Sequence, residues 1–291
     1  MATSRLRELL ERPGIIVVPG GGSPLEMRLI QQAGFEAAYI SGYAAAAHRY
    51  GVPDIGLVAF NEIEDLAREC VSICDLPLIV DCDNGYGDVA NVARTVRRME
   101  AVGVAAVQIE DQAWPKRCGH MDGKIVIERS AAVRKIAAAA DARRDSALVL
   151  IARTDARAPL GLDEAIERCH AFKAAGADVL FVDAPHSRAE IERIARELPG
   201  PLLINISESG KTPMLPLQEL ERLGIKIALY PSSSLRVAVR TLGRFYADLK
   251  AEGDSSVWLD RMATLDETNE VLGLPAIMEF ERGVLAKTGQ P

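Results

Sequence analysis

The sequence predicts an α/β fold, a (β/α)8 TIM barrel with extra C-terminal helices, and three observations predict it. Eight short apolar runs recur between residues 15 and 229. Each run is continuously apolar, as strands covered on both faces are. The stretches between them carry apolar residues at helical spacing. Eight strands alternating with helices over about 230 residues fit a closed barrel better than a doubly wound sheet.

The runs come in order. Ile15-Ile16-Val17-Val18 stops at Pro19-Gly20-Gly21-Gly22, and Ala37-Ala38-Tyr39-Ile40 stops at Ser41-Gly42. Leu78-Ile79-Val80 stops at Asp81-Cys82-Asp83-Asn84-Gly85, and Ala105 to Ile109 stops at Glu110-Asp111. Leu148 to Ala152 precedes Arg153-Thr154-Asp155, and Val179 to Val182 precedes Asp183-Ala184-Pro185. Leu202-Leu203-Ile204 leads to Asn205-Ile206-Ser207, and Ile225 to Leu229 leads to Tyr230-Pro231-Ser232. Helices are expected over Asp88 to Val102 before Gly103, and over Leu162 to Ala175 before Gly176. Another runs from Ser187 to Leu198, with Glu190 completing a capping box. Asn61 to Cys74 adds a helix before the third strand, and Leu235 to Ala251 follows the eighth. Residues 1–291 read as a single barrel domain, with a helical tail from about 252 to 291. A bare barrel does not need that tail, so it must pack elsewhere, a neighbouring subunit being one answer.

Composition excludes several function classes. A formal charge of −7 argues against nucleic acid or an anionic membrane as the main partner. No apolar run approaches the roughly 20 residues that span a bilayer. The charged start, Arg5-Leu6-Arg7-Glu8, is unlike a signal peptide, and a cytoplasmic location is expected. The cysteines (Cys70, Cys74, Cys82, Cys118, Cys169) are odd in number and form no CxxC pair. They read as reduced thiols, with Cys70 and Cys74 as helix packing. His48, His170 and His186 read as ordinary histidines without partners. Gly20-Gly21-Gly22 lacks the Lys-Ser/Thr of a phosphate loop and reads as a permissive turn.

Polar residues gather where the apolar runs stop: Ser41, Asp81, Asp83, Glu110, Arg153, Asp183, Asn205 and Ser207, with Arg236 after the last run. One acid at a strand end is ordinarily a cap or turn residue. A series on successive strands is different, because a barrel gathers those ends around one mouth. Asp81, Asp83 and Glu110 are hard oxygen ligands that suit Mg2+ or Mn2+. Arg153 offers a planar fork for a carboxylate, and Asn205, Ser207 and Arg236 offer donors for a second. The expected substrate is a small di- or tri-anion bound with a hard metal. The loop Trp114-Pro115-Lys116-Arg117-Cys118-Gly119-His120 follows the fourth run. It sets a thiol among cations, the surroundings in which a thiol trades protons readily, although basic surface loops share that composition.

Lys116-Arg117-Cys118-Gly119-His120 resembles the catalytic loop of the isocitrate lyase and phosphoenolpyruvate mutase superfamily, in its lyase branch. Further motifs agree across nearly the whole chain: Tyr39-Ile40-Ser41-Gly42, Val52-Pro53-Asp54-Ile55-Gly56 and Asp81-x-Asp83-x-Gly85-Tyr86-Gly87. Ile109-Glu110-Asp111-Gln112, Ala152-Arg153-Thr154-Asp155-Ala156 and Gly210-Lys211-Thr212-Pro213 complete them. Within the superfamily the chain is most similar to 2-methylisocitrate lyases and the petal death type. It departs from methylisocitrate lyases in carrying Tyr43 for Gly and Asp183 for Glu.

The resemblance implies a Mg2+-dependent cleavage of a 2-hydroxy di- or tricarboxylate. In it Asp81, Asp83 and Glu110 hold the metal, Tyr39 takes the hydroxyl proton, and Cys118 protonates the carbanion. Lys116 and His120 set the proton affinity of Cys118. Ser41, Gly42 and Arg153 hold one carboxylate, and Gly119, Asn205, Ser207 and Arg236 the other. Tyr43, Asp54 and Asp183 shape the rest of the substrate site. The loop from about Gln112 to Lys124 closes over it, and a homotetramer with exchanged C-terminal helices is expected. Three rivals share the barrel: phosphoenolpyruvate mutase or phosphonopyruvate hydrolase, oxaloacetate decarboxylase or hydrolase, and a non-catalytic metabolite binder. The first two do not need Cys118, and the third would bind Mg2+ and oxalate without turnover.

Overall fold

Alternation within each apolar run decides which residues meet at the barrel axis. In the computed structural model, which describes residues 2–119, 121–208 and 210–288, each run forms a parallel strand. They are β1 (Ile16–Gly21), β2 (Ala38–Ile40), β3 (Leu78–Asp81), β4 (Ala106–Glu110), β5 (Val149–Thr154), β6 (Val179–Val182), β7 (Leu202–Asn205) and β8 (Ile225–Tyr230). Their order around the closed barrel is their order in sequence, with β8 pairing back onto β1.

One cluster of side chains fills the interior, including Val18, Tyr39, Ile79, Ala106, Ile151, Phe181, Leu203 and Leu229. Their neighbours Ile40, Val80, Val107, Leu150, Leu180 and Ile204 join a second cluster under the helices. Side chains alternate faces along a strand. The interior rows therefore continue as Ile79 to Asp81, Ala106 through Gln108 to Glu110, and Ile151 to Arg153. Phe181 leads to Asp183 and Leu203 to Asn205 in the same way. The same parity that builds the core delivers the polar residues to the mouth.

The helices are α1 (Ala2–Glu11), α2 (Pro24–Gln32), α3 (Gly42–Tyr50), α4 (Phe60–Ile73), α5 (Val89–Val102), α6 (Arg129–Ala142), α7 (Arg157–Leu160), α8 (Leu162–Ala174), α9 (Arg188–Glu197) and α10 (Leu217–Arg222), then α11 (Ser233–Glu252), a 3-10 turn (Ser256–Arg261), α12 (Leu265–Val271) and α13 (Leu274–Thr288). The expected caps form except for one half of the capping box, where the Glu190 carboxylate accepts from His186 N in place of Ser187 N. Asp88 accepts from Val89 N, Gly103 ends α5 in the left-handed region, and the Ser187 side chain accepts from Glu190 N. Helix α1 has no counterpart in the sequence reading. Leu6 and Leu9 from it join the interior cluster, and Arg7 donates to the Ala147 and Leu148 carbonyls and pairs with Asp178 at 2.8 Å. It therefore closes the N-terminal end of the barrel, opposite the mouth.

The chain divides into two compact units, Met1–Leu235 and Arg236–Pro291, so the division falls near the start of α11 and before residue 252. Within the second unit Trp258 is buried, packs edge-on against Phe245 at 5.7 Å and donates to Asp248. Val237, Val239, Leu242 and Tyr246 of α11 and Ile277, Met278 and Phe280 of α13 are exposed.

Candidate active site

One side of the mouth is rich in acids. Asp81 ends β3, and Asp83 follows in a left-handed turn conformation at φ 46°. Asp81 Oδ1 accepts from the Asp83 amide at 3.2 Å and from Gln108 Nε2 at 3.4 Å. Lys116 arrives from the loop after β4, and its ammonium lies 2.6 Å from both Asp54 Oδ1 and Asp83 Oδ1. Burial pushes that ammonium's pKa down, but Asp83 and Asp54 outweigh burial and hold it well above its ordinary value. Burial pushes Asp83 up to about 7, against the pull of Lys116. Burial likewise raises Glu110, partly offset by Arg153. The Tyr39 phenol is buried and hydrogen-bonded to Asp81, and burial first, then Asp81, pushes its pKa well above the ordinary phenol value. Helix α3 begins beside these acids. Ser41 Oγ caps it by accepting from Ala44 N at 3.2 Å, and a side chain on Gly42 would meet Asp81 Oδ2. Tyr43 follows, half-buried in the first turn.

The other side of the mouth is balanced. Arg153 lies in β5 next to its last residue, with Nε and Nη2 each 2.8 Å from a different oxygen of Asp155. Nε also lies 3.4 Å from Glu110 Oε2, and Nη2 lies 3.4 Å from Asp183 Oδ2. Lys124 reaches the same group, 2.8 Å from Asp155 Oδ1 and 3.3 Å from Asp183 Oδ2. Asn205 Nδ2 donates to Asp183 Oδ1 at 3.4 Å. Asp155 is held from behind, because its amide donates to Asp111, which also accepts from Thr154 Oγ1 and pairs with buried Arg168. The sequence reading gave Arg153's fork to a substrate carboxylate. In the structure an internal carboxylate, Asp155, takes that Nε–Nη2 edge, leaving the remaining guanidinium donors for a ligand.

The loop after β4 joins the two sides. Its base is a short antiparallel bridge between Gln112 and Val126, with Ala113 N donating to Ile125 O. The Gln112 side chain then grips both the amide and the carbonyl of Arg117. The Cys118 amide donates to Asp54 O at 3.2 Å, and the Cys118 side chain is half-buried. At Gly119 a Cβ would fall 2.0 Å from Asp183 Oδ2 and 2.4 Å from Arg153 Nη2, so only glycine seats there. His120 lies outside the described residues. Ser207 is buried just beyond β7, and Arg236 lies in the second unit, in the first turn of α11.

Among the described residues no three His, Cys, Asp or Glu side chains converge closely enough to form a ready cation cage. The donors nonetheless fit a hard cation bound largely through water. Asp81, Asp83 and Glu110 supply only oxygen, and Glu110 Oε1 is buried without a hydrogen-bond partner among the described residues. Gln108 Oε1 is another such orphan on the same interior row. Buried polar atoms are rarely left unsatisfied unless something else occupies the site.

Two sequence readings change. His48 was read as lacking a partner, but its Nδ1 lies 2.8 Å from Glu26 Oε2. Glu26 also accepts from Gly22 N, Ser23 Oγ and Ser234 Oγ, so a carboxylate of the chain fills the donors of the glycine turn. Gly22 itself is required by close approach, since a Cβ there would lie 2.2 Å from the Ala44 backbone. The sequence reading missed Lys124, Gln108 and the role of Asp155. Parity offered a signal for two of them, because Gln108 precedes Glu110 and Asp155 follows Arg153 by two positions. Lys124 had none, its partners being distant in sequence.

Comparison with known proteins agrees with this geometry. The phosphoenolpyruvate phosphomutase family model matches residues 6–250. A 2,3-dimethylmalate lyase of Eubacterium barkeri is 40% identical over 278 residues, covering 96% of this chain and 96% of that protein. A 2-methylisocitrate lyase of Bacillus subtilis is 41% identical over 287 residues, covering 99% and 94%. Among solved structures, oxaloacetate acetylhydrolase with 3,3-difluorooxalacetate superposes with TM-score 0.93 at 33% identity, covering 100% and 98%. A phosphonopyruvate hydrolase complex with oxalate and Mg2+ superposes with TM-score 0.86 at 29% identity, covering 98% of each chain. With a matching family model over most of its length and an acid-lined barrel mouth under a Lys-x-Cys-Gly loop, the chain belongs to the phosphoenolpyruvate mutase/isocitrate lyase superfamily.

Proposed function

We propose that the protein is a Mg2+-dependent carbon–carbon lyase that cleaves a 2-hydroxy di- or tricarboxylate to a 2-oxo acid and a carboxylate. The observation that carries this reading is the loop. Gly119 seats on the Arg153–Asp183 pair and so brings Cys118 to the mouth that Asp81 and Glu110 line. Relatives that cleave 2,3-dimethylmalate and 2-methylisocitrate support the substrate class.

Asp81, Asp83 and Glu110 would hold Mg2+, which when bound lowers the pKa of the 2-hydroxyl and polarises the forming 2-oxo group. Tyr39, whose buried phenol is hydrogen-bonded to Asp81, would take the 2-hydroxyl proton as its phenolate, a form that a cation held by the neighbouring acids favours. The C2–C3 electron pair leaves with C3 as a carboxylate-stabilised carbanion, and a C2 carbonyl forms. Cys118 gives its proton to C3, which completes the carboxylate product and leaves a thiolate. Lys116 keeps Asp54 and Asp83 in place while fixing the loop that carries the thiol. Ser41, Gly42 and the outer donors of Arg153 receive one substrate carboxylate. Gly119, Asn205 and Ser207 receive the other, with Tyr43 and Asp183 limiting what stands on C3. His120 completes the loop's charge. The segment 112–124 closes over the substrate and excludes water. The exposed apolar faces of α11 and α13 support burial in a homotetramer, and cysteines that form no disulfide among the described residues suit a reducing cytoplasm.

Cys118→Ser tests the reading. It should lose at least about a hundredfold in cleavage while keeping Mg2+-dependent oxalate binding by calorimetry. Cleavage at the wild-type rate would remove Cys118 from the reaction. The resemblance to oxaloacetate acetylhydrolase favours one second reading, hydrolysis of oxaloacetate on the same site.

A further inference from the structure

Two points of one loop rest on the same buried ion pair. Gly119, near the tip, presses on Asp183 Oδ2 and Arg153 Nη2. Lys124, on the return leg just before the Gln112–Val126 bridge, places its ammonium between Asp155 and Asp183. Both carboxylates have no exposed side-chain surface, and Lys124 has 1%. Arg153 alone would face three buried acids: Glu110, Asp155 and Asp183. An outer ion pair of the loop, Asp122 with Lys211, is of a different kind from those of Lys124 and Lys116, because Asp122 is 93% exposed. Exposed pairs contribute little, whereas removing one member of a buried pair strands a charge.

We propose that Lys124 is the latch of the catalytic loop: by neutralising Asp155 and Asp183 together, it keeps Gly119 seated on the Arg153–Asp183 pair and sets how often Cys118 is uncovered. Lys124 is thus a positioning residue, acting through the seat. Without its charge, Asp155 and Asp183 share the Arg153 guanidinium with Glu110. Water reaches them most readily if the loop lifts, so the open state gains population. The inference rests on the reading of this loop as the lid over the site.

Alkylation of Cys118 by iodoacetamide, followed site by site by mass spectrometry in the full-length protein, reads loop opening directly. Buried Cys70, Cys82 and Cys169 report global unfolding in the same sample. In the wild type, Mg2+ with oxalate should slow the Cys118 reaction. No protection would sink the lid reading whatever Lys124 does. Lys124→Met should speed Cys118 alkylation at least about tenfold with the buried cysteines unchanged. Lys124→Arg should remain within about threefold of wild type, and Lys211→Met within about twofold. An unchanged Cys118 rate in Lys124→Met overturns the latch, and so does a parallel rise at every cysteine, which would make Lys124 a support of the whole fold. Should Lys124→Met fail to fold, Lys124→Met/Asp183→Asn removes one anion with the cation. It should alkylate Cys118 within about threefold of Asp183→Asn alone, and a tenfold excess would equally overturn the latch.

Discussion

The two sides of the barrel mouth handle charge differently. On one, Asp54, Asp81 and Asp83 have a single ammonium, Lys116, among them as far as the described residues go. On the other, Asp155 and Asp183 are matched by Arg153 and Lys124, with Glu110 between the sides at 3.4 Å from Arg153. An excess of carboxylates is costly to hold buried and is relieved by a cation, so the first side is built to receive one. A matched set needs nothing added and loses heavily when one member is removed, so the second side holds geometry. Binding and positioning are thus separated across a single mouth, and the Cys118 loop touches both, through Lys116 on one side and Lys124 on the other.

The sharpest way to break this contrast is to remove one acid from each side. Asp155→Ala removes the two-oxygen partner of Arg153 and the nearer partner of Lys124, and should destabilise the metal-free protein by about 3–5 kcal/mol in urea unfolding. Asp81→Asn should cost under about 1 kcal/mol in the same experiment. It should also abolish the added stability, near 2.7 kcal/mol, expected when Mg2+ is present at about a hundred times its Kd. Equal costs at the two positions would erase the distinction. Next in size is Gly119→Ala, whose methyl would collide with Asp183 and Arg153. Turnover should fall about tenfold to a hundredfold with the melting temperature unchanged, as expected of misplaced reacting groups. The smallest effect is an order of reactivity. Cys118 should be the first thiol alkylated in the native protein, with Cys169 among the last, because burial raises the Cys169 pKa and removes its access.

The contrast also shows what a sequence exposes. All eight strands and the acids at their ends follow from local pattern, since a continuously apolar run and the polar residue that stops it are neighbours in the chain. Asp81, Glu110, Arg153 and Asp183 were found that way. Lys124 was not, because its partners are 31 and 59 residues away and nothing near it signals a burial site. Arg153's engagement with Asp155 was visible only as parity on one strand, and the substrate-carboxylate role suggested by an arginine at a strand end overshadowed it. Helix α1 was missed for another reason. Its apolar positions Leu6, Leu9 and Leu10 sit among charges, and its place under the barrel is a tertiary fact.

A 2-oxo-acid release assay decides whether the two sides together form a lyase. Purified protein with Mg2+ would be offered 2-methylisocitrate, isocitrate, 2,3-dimethylmalate, 2-ethylmalate, oxalomalate, oxaloacetate and phosphonopyruvate in parallel. Turnover of at least one 2-hydroxy acid is expected, lost with EDTA and lost in Cys118→Ser. Turnover confined to oxaloacetate or phosphonopyruvate, and indifferent to Cys118→Ser, would contradict the lyase reading.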